Sequence, residues 1–241
     1  MPLLGLPGQV SPNGLTGVIS NDAGFADHSF RQTAQRGGLV IDVSLNYPSL
    51  GNAIADADIK RWATGIAEAF VENLCEDASD NGAARPGEGA QSYALHGSYT
   101  VSRPSAAVVS LTFELWTYTG GAHGNLDIIT LNYSLLNGQR LELADLFEEP
   151  DEALKLMSDW SFQTLSRRFA GAWTLQMLKD GTSPDTHNFA SLTLTPEGLV
   201  IQFQPYQVVP WAAGAQTVEM LIERLASAGP LSTVWGVSPS P

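Results

Sequence analysis

The first regular pattern in the chain is an alternation of apolar and polar residues over Leu39–Tyr47. The apolar positions are Leu39, Ile41, Val43, Leu45 and Tyr47. A period of two is the spacing of side chains on one face of a β-strand. The pattern therefore predicts a half-buried strand, which Pro48 and Gly51 end.

A helical pattern follows over Asp56–Cys75. Its apolar residues recur at spacings of three and four, at Ile59, Trp62, Ile66, Phe70 and Leu74. Such a stripe lies on one face of a helix and packs on a core. Asp56 and Asp58 stand at the expected N-terminus, where negative charge complements the helix dipole. We therefore predict a helix that covers the strand before it.

Three further alternating runs predict consecutive antiparallel strands. Their apolar positions are Tyr93, Leu95, Gly97, Tyr99 and Val101, then Val109, Leu111, Phe113 and Leu115, then Ile129, Leu131 and Tyr133. Asn137-Gly138 after the third run is a strong signal for a tight turn. His96 falls between the apolar positions of its run, so we expect it on the exposed or second face of the sheet.

The second half of the chain predicts another helix, a hairpin and a short closing element. The helical stripe comprises Leu154, Met157, Trp160, Leu165 and Phe169, and Gly171 can end it. An acidic run over residues 145–152 precedes it. We assign this run to the helix N-terminus rather than to a metal, because it lacks EF-hand spacing. We predict a hairpin over residues 188–203, with its turn at Pro196-Glu197-Gly198. For Thr217–Leu225 we predict a short strand or helix.

These elements predict an α+β fold, an antiparallel sheet with at least two helices packed on one side. We divide the chain into a flexible lead-in (1–37), an N-terminal segment (39–130), a C-terminal segment (131–226) and a tail (227–241). The two central segments are expected to pack together as one unit. With 241 residues, 44% of them hydrophobic, the chain can bury a sizeable core.

Residues 116–125, Trp-Thr-Tyr-Thr-Gly-Gly-Ala-His-Gly-Asn, lie between two predicted strands and form what we call the glycine loop. Glycine adopts positive φ without a Cβ penalty, so these glycines permit a turn that other residues resist. The candidate ligand-binding residues here are Tyr118, Gly121, His123 and Asn125. The alternatives are a tight connection with a satisfied histidine, and a catalytic His123.

Phe203–Gly214, the proline corner, is the second candidate surface. Pro205 and Pro210 interrupt a strand, and the candidate residues Tyr206, Gln207 and Trp211 lie on the irregular segment. Aromatic side chains with polar tips are typical of binding sites. The alternative is a structural corner with Tyr206 packed inside.

Charge and composition exclude several classes of function. The net charge of −13 and the pI near 4.5 disfavour nucleic-acid binding and suit a cationic partner. Cys75, the single cysteine, can form no disulfide within the chain. No apolar run approaches the roughly 20 residues of a membrane span. The N-terminus lacks the features of a signal peptide.

No established catalytic motif occurs in the sequence. There is no Gly-x-Ser-x-Gly elbow, phosphate-binding loop, dinucleotide fingerprint or His-Glu-x-x-His pair. The four histidines are dispersed. We therefore assign no catalytic residue, no metal ligand and no cofactor.

The glycine loop also carries a family resemblance. Gly-Gly-Ala-His-Gly at 120–124, the turn at Asn137-Gly138, the segment Leu141–Phe147 and the later Phe203-Gln-Pro-Tyr206 occur in this order. Over roughly residues 39–226 the chain resembles a bacterial extracytoplasmic family of unknown function. That family includes RsiV-like lysozyme-sensing anti-sigma factors and the non-catalytic part of PdaC-like peptidoglycan deacetylases.

The resemblance implies a non-catalytic binding module for a lysozyme-like protein or for cell-wall glycan, with peptidoglycan fragments as possible ligands. It implies a periplasmic or extracellular location, with a native leader sequence absent from this chain. The alternative function is a hydrolase or deacetylase acting on cell-wall polysaccharide through His123 and a carboxylate such as Asp145.

Overall fold

The computed structural model describes residues 24–36, 38–80, 91–170 and 175–236, and these residues form a large and a small sheet with helices packed on them. The large sheet has six strands in chain order. They are β1 (Ala26–Arg36), β2 (Leu39–Ser49), β3 (Gln91–Ser102), β4 (Val108–Tyr118), β5 (Asn125–Ser134) and β6 (Arg140–Leu141). The small antiparallel sheet contains β7 (Leu192–Thr195), β8 (Gly198–Phe203) and β9 (Gln216–Leu221).

The predicted α+β class is confirmed, but the large sheet is mixed rather than antiparallel. Strands β2 and β3 run parallel, with Leu39 opposite Gln91 and Leu45 opposite Gly97. The long helix α1 (Ala53–Asp80) stands between them in the chain. Parallel neighbours need such a crossover, because a short turn can only reverse the chain direction. The predicted meander of β3, β4 and β5 is antiparallel, as expected.

Helix α1 covers one face of the large sheet and builds the N-terminal core. The Asn52 side chain accepts a hydrogen bond from the Ile54 backbone N–H at 3.0 Å and caps the first turn. Ile59 and the small residues Ala63 and Ala67 are completely buried against the sheet. The predicted stripe is confirmed, and alanines bring the helix close to the strands.

The predicted lead-in of residues 1–37 is wrong for its last part. Ala26–Arg36 is a strand that pairs with β2 along its whole length. Most of its side chains are polar, so it lacks the apolar alternation that identified β2. As an edge strand, β1 is held by backbone hydrogen bonds to one neighbour, with Phe30 packed against the core. Residues 1–23 lie outside the described ranges.

The second half of the chain builds a separate core around the small sheet. Its helices are α2 (Pro150–Arg168) and α3 (Leu175–Gly181), with 3-10 turns at Leu143–Asp145, Thr186–Phe189, Trp211–Ala213 and Ile222–Ala228. Helix α2 begins at Pro150 after the acidic run, as predicted, and it ends before Gly171, which is not described. Met157, Leu165 and Phe203 are completely buried in this core.

Side chains of α2 satisfy backbone carbonyls along the outer strand of the small sheet. The Trp160 indole N–H donates to the Glu219 carbonyl at 2.8 Å, and the Arg168 guanidinium donates to the Thr217 carbonyl at 3.0 Å. An open strand edge is a template for pairing with other chains. Helix α2 therefore both fills the C-terminal core and occupies the edge of β9.

The predicted tail of residues 227–241 is wrong for its first part. Ser232–Trp235 forms the short helix α4, and Val234 and Trp235 are 2% and 4% exposed. The Trp235 ring packs on Phe147 with a centroid distance of 5.6 Å. Its indole N–H donates to the Thr195 carbonyl at 3.2 Å. Residues 237–241 lie outside the described ranges.

The two cores meet through hydrogen bonds across the second face of the large sheet. The Thr112 and Thr193 hydroxyls are 2.6 Å apart, and the Ser191 hydroxyl donates to the Ile128 carbonyl at 2.8 Å. The Asn132 amide donates to the Leu192 carbonyl at 3.1 Å. The predicted division between residues 130 and 131 falls inside β5, so the first structural unit extends through β6.

One partly buried pair links β5 to α1 and makes stability depend on pH. The Tyr133 hydroxyl donates to the Asp58 carboxylate at 2.8 Å, and Arg61 contacts the same carboxylate at 2.6 Å. Burial alone would raise the pKa of Asp58, but the hydrogen bonds from Arg61 and Tyr133 outweigh it and hold the pKa below its ordinary value. A lowered carboxyl pKa stabilises the fold above the unfolded-state pKa, and this contribution is lost as the pH falls.

We expect Tyr133→Phe to lower the free energy of unfolding at pH 7 by about 1 kcal/mol, the usual net value of one hydrogen bond. The difference from wild type should shrink below about pH 4, where Asp58 becomes protonated in the unfolded chain. Urea denaturation between pH 3 and pH 7 checks this. A difference that does not vary with pH would assign the loss to packing instead of to the carboxylate.

Candidate functional site

The glycine loop connects β4 to β5 in an unusual backbone shape. Gly120 and Gly121 have φ values of +90° and +91°, in the region that favours glycine. The Tyr118 hydroxyl donates to the Gly121 carbonyl at 3.1 Å and closes the turn. Asn125 is the first residue of β5, pairs with Thr117 and is exposed. The two neighbouring glycines thus form a tight turn that presents the following residues to solvent.

Gly124 serves the loop for a different reason. Its φ is not in the left-handed region, but a Cβ there would lie 2.5 Å from the Trp116 indole ring. The indole therefore covers the backbone of the loop, and only a glycine allows it to lie so close. Trp116 remains 41% exposed, which is high for a tryptophan.

His123 joins the two surfaces that the sequence presented separately. Its ring stacks on Trp211 in the proline corner, with a centroid distance of 3.9 Å and an interplanar angle of 20°. Its Nδ1 lies 2.9 Å from the Gly124 carbonyl oxygen, which can only accept. Nδ1 therefore carries the proton, and in the neutral ring Nε2 is left as an acceptor.

His96 and Trp116 also belong to this surface, although the sequence analysis did not include them among the site residues. The rings of His96 and Trp116 stack at 5.7 Å, and those of Trp116 and Tyr118 stack at 6.1 Å. The Ser44 hydroxyl lies 2.8 Å from His96 Nδ1. The signal was present in the alternation, since His96 and Trp116 sit opposite each other on the second face. We call His96, Trp116, Tyr118, His123 and Trp211 the aromatic face.

The proline corner presents one side chain and keeps another inside. Tyr206 has a φ of +70°, the single positive value among described non-glycine residues, and it is 56% exposed. The Gln207 amide instead donates to the carbonyls of Asn188 at 2.9 Å and Gly181 at 3.1 Å. Its oxygen accepts from the Gln204 backbone N–H at 2.9 Å. Gln207 therefore holds the corner together, while Tyr206 faces solvent.

A second glutamine attaches the corner to the large sheet. The oxygen of the Gln204 side chain accepts from the Ile128 N–H at 2.8 Å, and its amide nitrogen donates to the Ile128 carbonyl. This pairing imitates the backbone ladder of a sheet at a strand that directly follows the glycine loop. The corner and the loop are thus fixed to the same strand, β5.

The groups considered for catalysis do not converge. The Asp145 carboxylate accepts from the Glu142 backbone N–H at 2.9 Å and caps a 3-10 turn. The His–carboxylate pair found in the described ranges, His187 and Asp185 at 2.9 Å, is local and exposed. No three His, Cys, Asp or Glu side chains lie together as a metal site within those ranges. His123 contacts an aromatic ring instead of a carboxylate among the described residues.

We expect Gly121→Val to lower the free energy of unfolding by about 1–3 kcal/mol, because a β-branched residue is strained at positive φ. The strain acts alone, since an added Cβ would meet no atom within 4 Å. Chemical denaturation measures the change. An unchanged midpoint would show that the loop does not require glycine.

Two family models match consecutive parts of the chain. Residues 38–126 match a model described as "Deacetylase PdaC", and residues 144–223 match "Protein of unknown function (DUF3298)". The first contains α1 and β2–β4, and the second contains α2 and the small sheet. The resemblance inferred from sequence is confirmed, and the chain fits a DUF3298 family with PdaC-like relatives. That Gly-Gly-Ala-His-Gly at residues 120–124 is a motif of this family stays a prediction.

A curated relative and two solved structures are similar to the chain. Peptidoglycan-N-acetylmuramic acid deacetylase PdaC of Bacillus subtilis (strain 168) is 25% identical over 181 residues, which cover 75% of this chain and 37% of the relative. The chain thus spans little more than a third of that enzyme. A DUF3298 family member from Bacteroides fragilis has a TM-score of 0.60 at 17% identity and covers 92% of this chain and 97% of its own.

A DUF3298 family protein from Pseudomonas aeruginosa PAO1 also has a TM-score of 0.60, at 13% identity, and covers 90% of this chain and 98% of its own. These two likenesses show a shared fold. In the described part of the chain, no helix is long and apolar enough to cross a membrane.

Proposed function

We propose that this chain is a non-catalytic binding module of the bacterial cell envelope, acting outside the cytoplasm, and that its aromatic face binds the ligand. The observation that carries the proposal is the stacking of His123 on Trp211, which unites the glycine loop and the proline corner. The matches to DUF3298 and to a peptidoglycan deacetylase support the envelope location.

The exposed rings suit either of two ligands. Trp and Tyr side chains supply most of the energy at many protein interfaces, because they offer large apolar area at little entropic cost. Flat rings also stack on sugars, so cell-wall glycan is the second ligand. Trp116 of the aromatic face is 41% exposed, and Tyr206 of the proline corner is 56% exposed.

The charge of the chain favours a cationic protein such as lysozyme. With 25 acidic and 12 basic residues, the net charge is −13. Such an excess attracts a basic partner from a distance and raises the association rate. Glu114 adds a carboxylate to the second face of the large sheet beside Trp116, since its side chain is exposed two residues earlier on β4.

Surface plasmon resonance with the whole chain immobilised tests the proposal, with a basic lysozyme and soluble peptidoglycan fragments as the two analytes. We expect one of them to bind, and Trp211→Ala or Trp116→Ala to abolish binding while circular dichroism shows intact folding. For lysozyme, the association rate should fall as salt shortens the Debye length from about 10 Å at 0.1 M to about 3 Å at 1 M.

His28→Ala is the matched control, because His28 also stacks on an aromatic ring, Tyr47, but on edge strand β1. It should bind as wild type does. If Tyr206→Ala alone abolishes binding, the proline corner is the site and the glycine loop is not. Turnover of peptidoglycan that disappears in His123→Ala would establish the alternative, an enzyme.

A further inference from the structure

The indole ring of Trp116 has one side covered by the protein and the other turned to solvent. A Cβ built on Gly124 would lie 2.5 to 2.7 Å from three indole atoms, Nε1, Cε2 and Cζ2. These nearly equal distances place the Gly124 backbone over the plane of the ring instead of at its edge. The ring is nevertheless one of the exposed large side chains of the described residues, so its open surface lies on the opposite side.

Two neighbouring rings extend this surface and hold it in place. The planes of His96 and Tyr118 differ from that of Trp116 by 5° and 8°, with centroids 5.7 and 6.1 Å away. Parallel rings at such separations are offset sideways, so they leave part of the open side of the indole free. The Ser44 hydroxyl, 2.8 Å from His96 Nδ1, fixes the orientation of the imidazole. The ring surface is therefore formed before a ligand binds.

Glu114 places an uncompensated carboxylate beside this surface. Glu114 and Trp116 are both exposed and two residues apart on β4, so they share a side of the sheet and lie about 7 Å apart along the strand. The neighbours of Glu114 across the sheet, Ser98 and Ile128, carry no charge. The ion pairs among the described residues do not include Glu114. A negative charge is thus available to a ligand that rests on the indole.

An arginine side chain fits both groups. Its guanidinium is a planar cation that stacks on aromatic rings, and its fork of N–H groups donates to carboxylates in a fixed geometry. Electrostatic attraction between the cation and the ring adds to the stacking. A lysine ammonium is a compact point charge and does not cover a ring in this way. A neutral sugar can stack on the indole, but it leaves the charge of Glu114 uncompensated.

We propose that Trp116 and Glu114 together bind an arginine side chain of a cationic partner protein. The guanidinium lies on the open side of the indole and donates to the Glu114 carboxylate. The net charge of −13 draws such a partner toward the chain. This proposal rests on the binding function proposed above and names the group that the aromatic face recognises, which decides between the protein and the glycan.

Titration of the whole isotope-labelled chain, followed by NMR of the indole and backbone N–H groups, tests this site. The probes are the short peptide acetyl-Gly-Arg-Gly-Arg-Gly-amide and its analogues with lysine or citrulline in place of arginine. Citrulline keeps the shape of arginine without its charge. We expect the arginine peptide to give saturable shifts at Trp116 and His96, with a dissociation constant on the order of 1 mM. The lysine peptide should bind roughly threefold more weakly, and the citrulline peptide should give no saturable shift.

Glu114→Gln removes the carboxylate charge at nearly constant shape and should weaken binding of the arginine peptide about fivefold, as expected for one exposed charge-assisted hydrogen bond. Glu219→Gln is the matched control, because Glu219 is an exposed glutamate on β9 of the small sheet. It makes the same change in net charge and should leave the affinity unchanged. Trp116→Leu should abolish the saturable backbone shifts while circular dichroism shows intact folding.

Equal affinity for the lysine or citrulline peptide, full affinity in Glu114→Gln, or equal weakening by Glu219→Gln would each overturn the arginine site. Peptidoglycan fragments that shift Trp116 when the arginine peptide does not would also overturn it, in favour of glycan. Failure of the proposed function gives a different result, since the chain would then bind the arginine peptide but neither lysozyme nor the fragments. Lysozyme binding that is unchanged in Glu114→Gln would keep the function and remove the arginine site.

Discussion

Replacing Trp235 with alanine is expected to lower the free energy of unfolding by about 3–5 kcal/mol, the usual cost of truncating a buried aromatic residue. The indole is 4% exposed, packs on Phe147 and donates to the Thr195 carbonyl. Truncation therefore leaves a cavity and an unpaired carbonyl together. Urea denaturation monitored by far-ultraviolet circular dichroism measures the change.

Leu136→Ala is the control for Trp235→Ala. Leu136 is 81% exposed in the turn after β5, so its truncation should change stability by no more than about 0.5 kcal/mol. If Trp235→Ala is as stable as Leu136→Ala, the C-terminal helix does not belong to the core.

Gly181→Ala is expected to lower the free energy of unfolding by about 1–3 kcal/mol, because the added methyl group overpacks its site. An added Cβ would overlap the Gln207 carbonyl oxygen and would lie 2.8 Å from the Gln207 carbonyl carbon. These are backbone atoms, so no side-chain rotation relieves the overlap. The proline corner would have to shift, and the proposed ligand binding at the aromatic face would weaken with it, because Trp211 belongs to both. Denaturation and surface plasmon resonance measure the two effects.

For Gly65→Ala, at another helical glycine, we expect a gain in stability instead of a loss. Gly65 is exposed inside α1, and an added Cβ would meet no atom within 4 Å. Alanine there should stabilise the fold by about 0.5–1 kcal/mol, because it restricts the unfolded chain. A loss of stability at Gly65, or a gain at Gly181, would contradict the packing described around these helices.

Sequence periodicity was sufficient for elements that bury one apolar face. Strand β2 and helix α1 were predicted because residues such as Ile41 and Ile59 recur at the period of their element. Strand β1 was missed because its contribution is backbone pairing at an edge, which leaves little apolar pattern. Helix α4 was missed because four residues are too few to show a helical period. The parallel pairing of β2 with β3 depends on the crossover, which periodicity does not encode.

The sequence predicted the glycine loop and the proline corner separately, but it did not predict that they lie in contact. Gly120 and Gly121 have positive φ, as expected for the glycine-dependent turn that the sequence predicted. The stacking of His123 on Trp211 joins segments that are distant in sequence, and a single sequence carries no signal for such a contact. Gln207 was a candidate because it lies on the irregular segment between Pro205 and Pro210, and the hydrogen bonds of its side chain hold that segment to the fold.

The two glutamines of the proline corner have a consequence for the thermodynamics of binding. Gln204 fixes the corner to β5, and Gln207 fixes it to the ends of α3 and the following turn. A loop that is mobile in the free protein loses conformational entropy when it binds, roughly 0.5–1.5 kcal/mol for each immobilised side chain. Here the backbone around Tyr206 is ordered before a ligand arrives, so little of that loss remains. Association at this surface should then proceed in a single kinetic step, without a slow rearrangement after encounter.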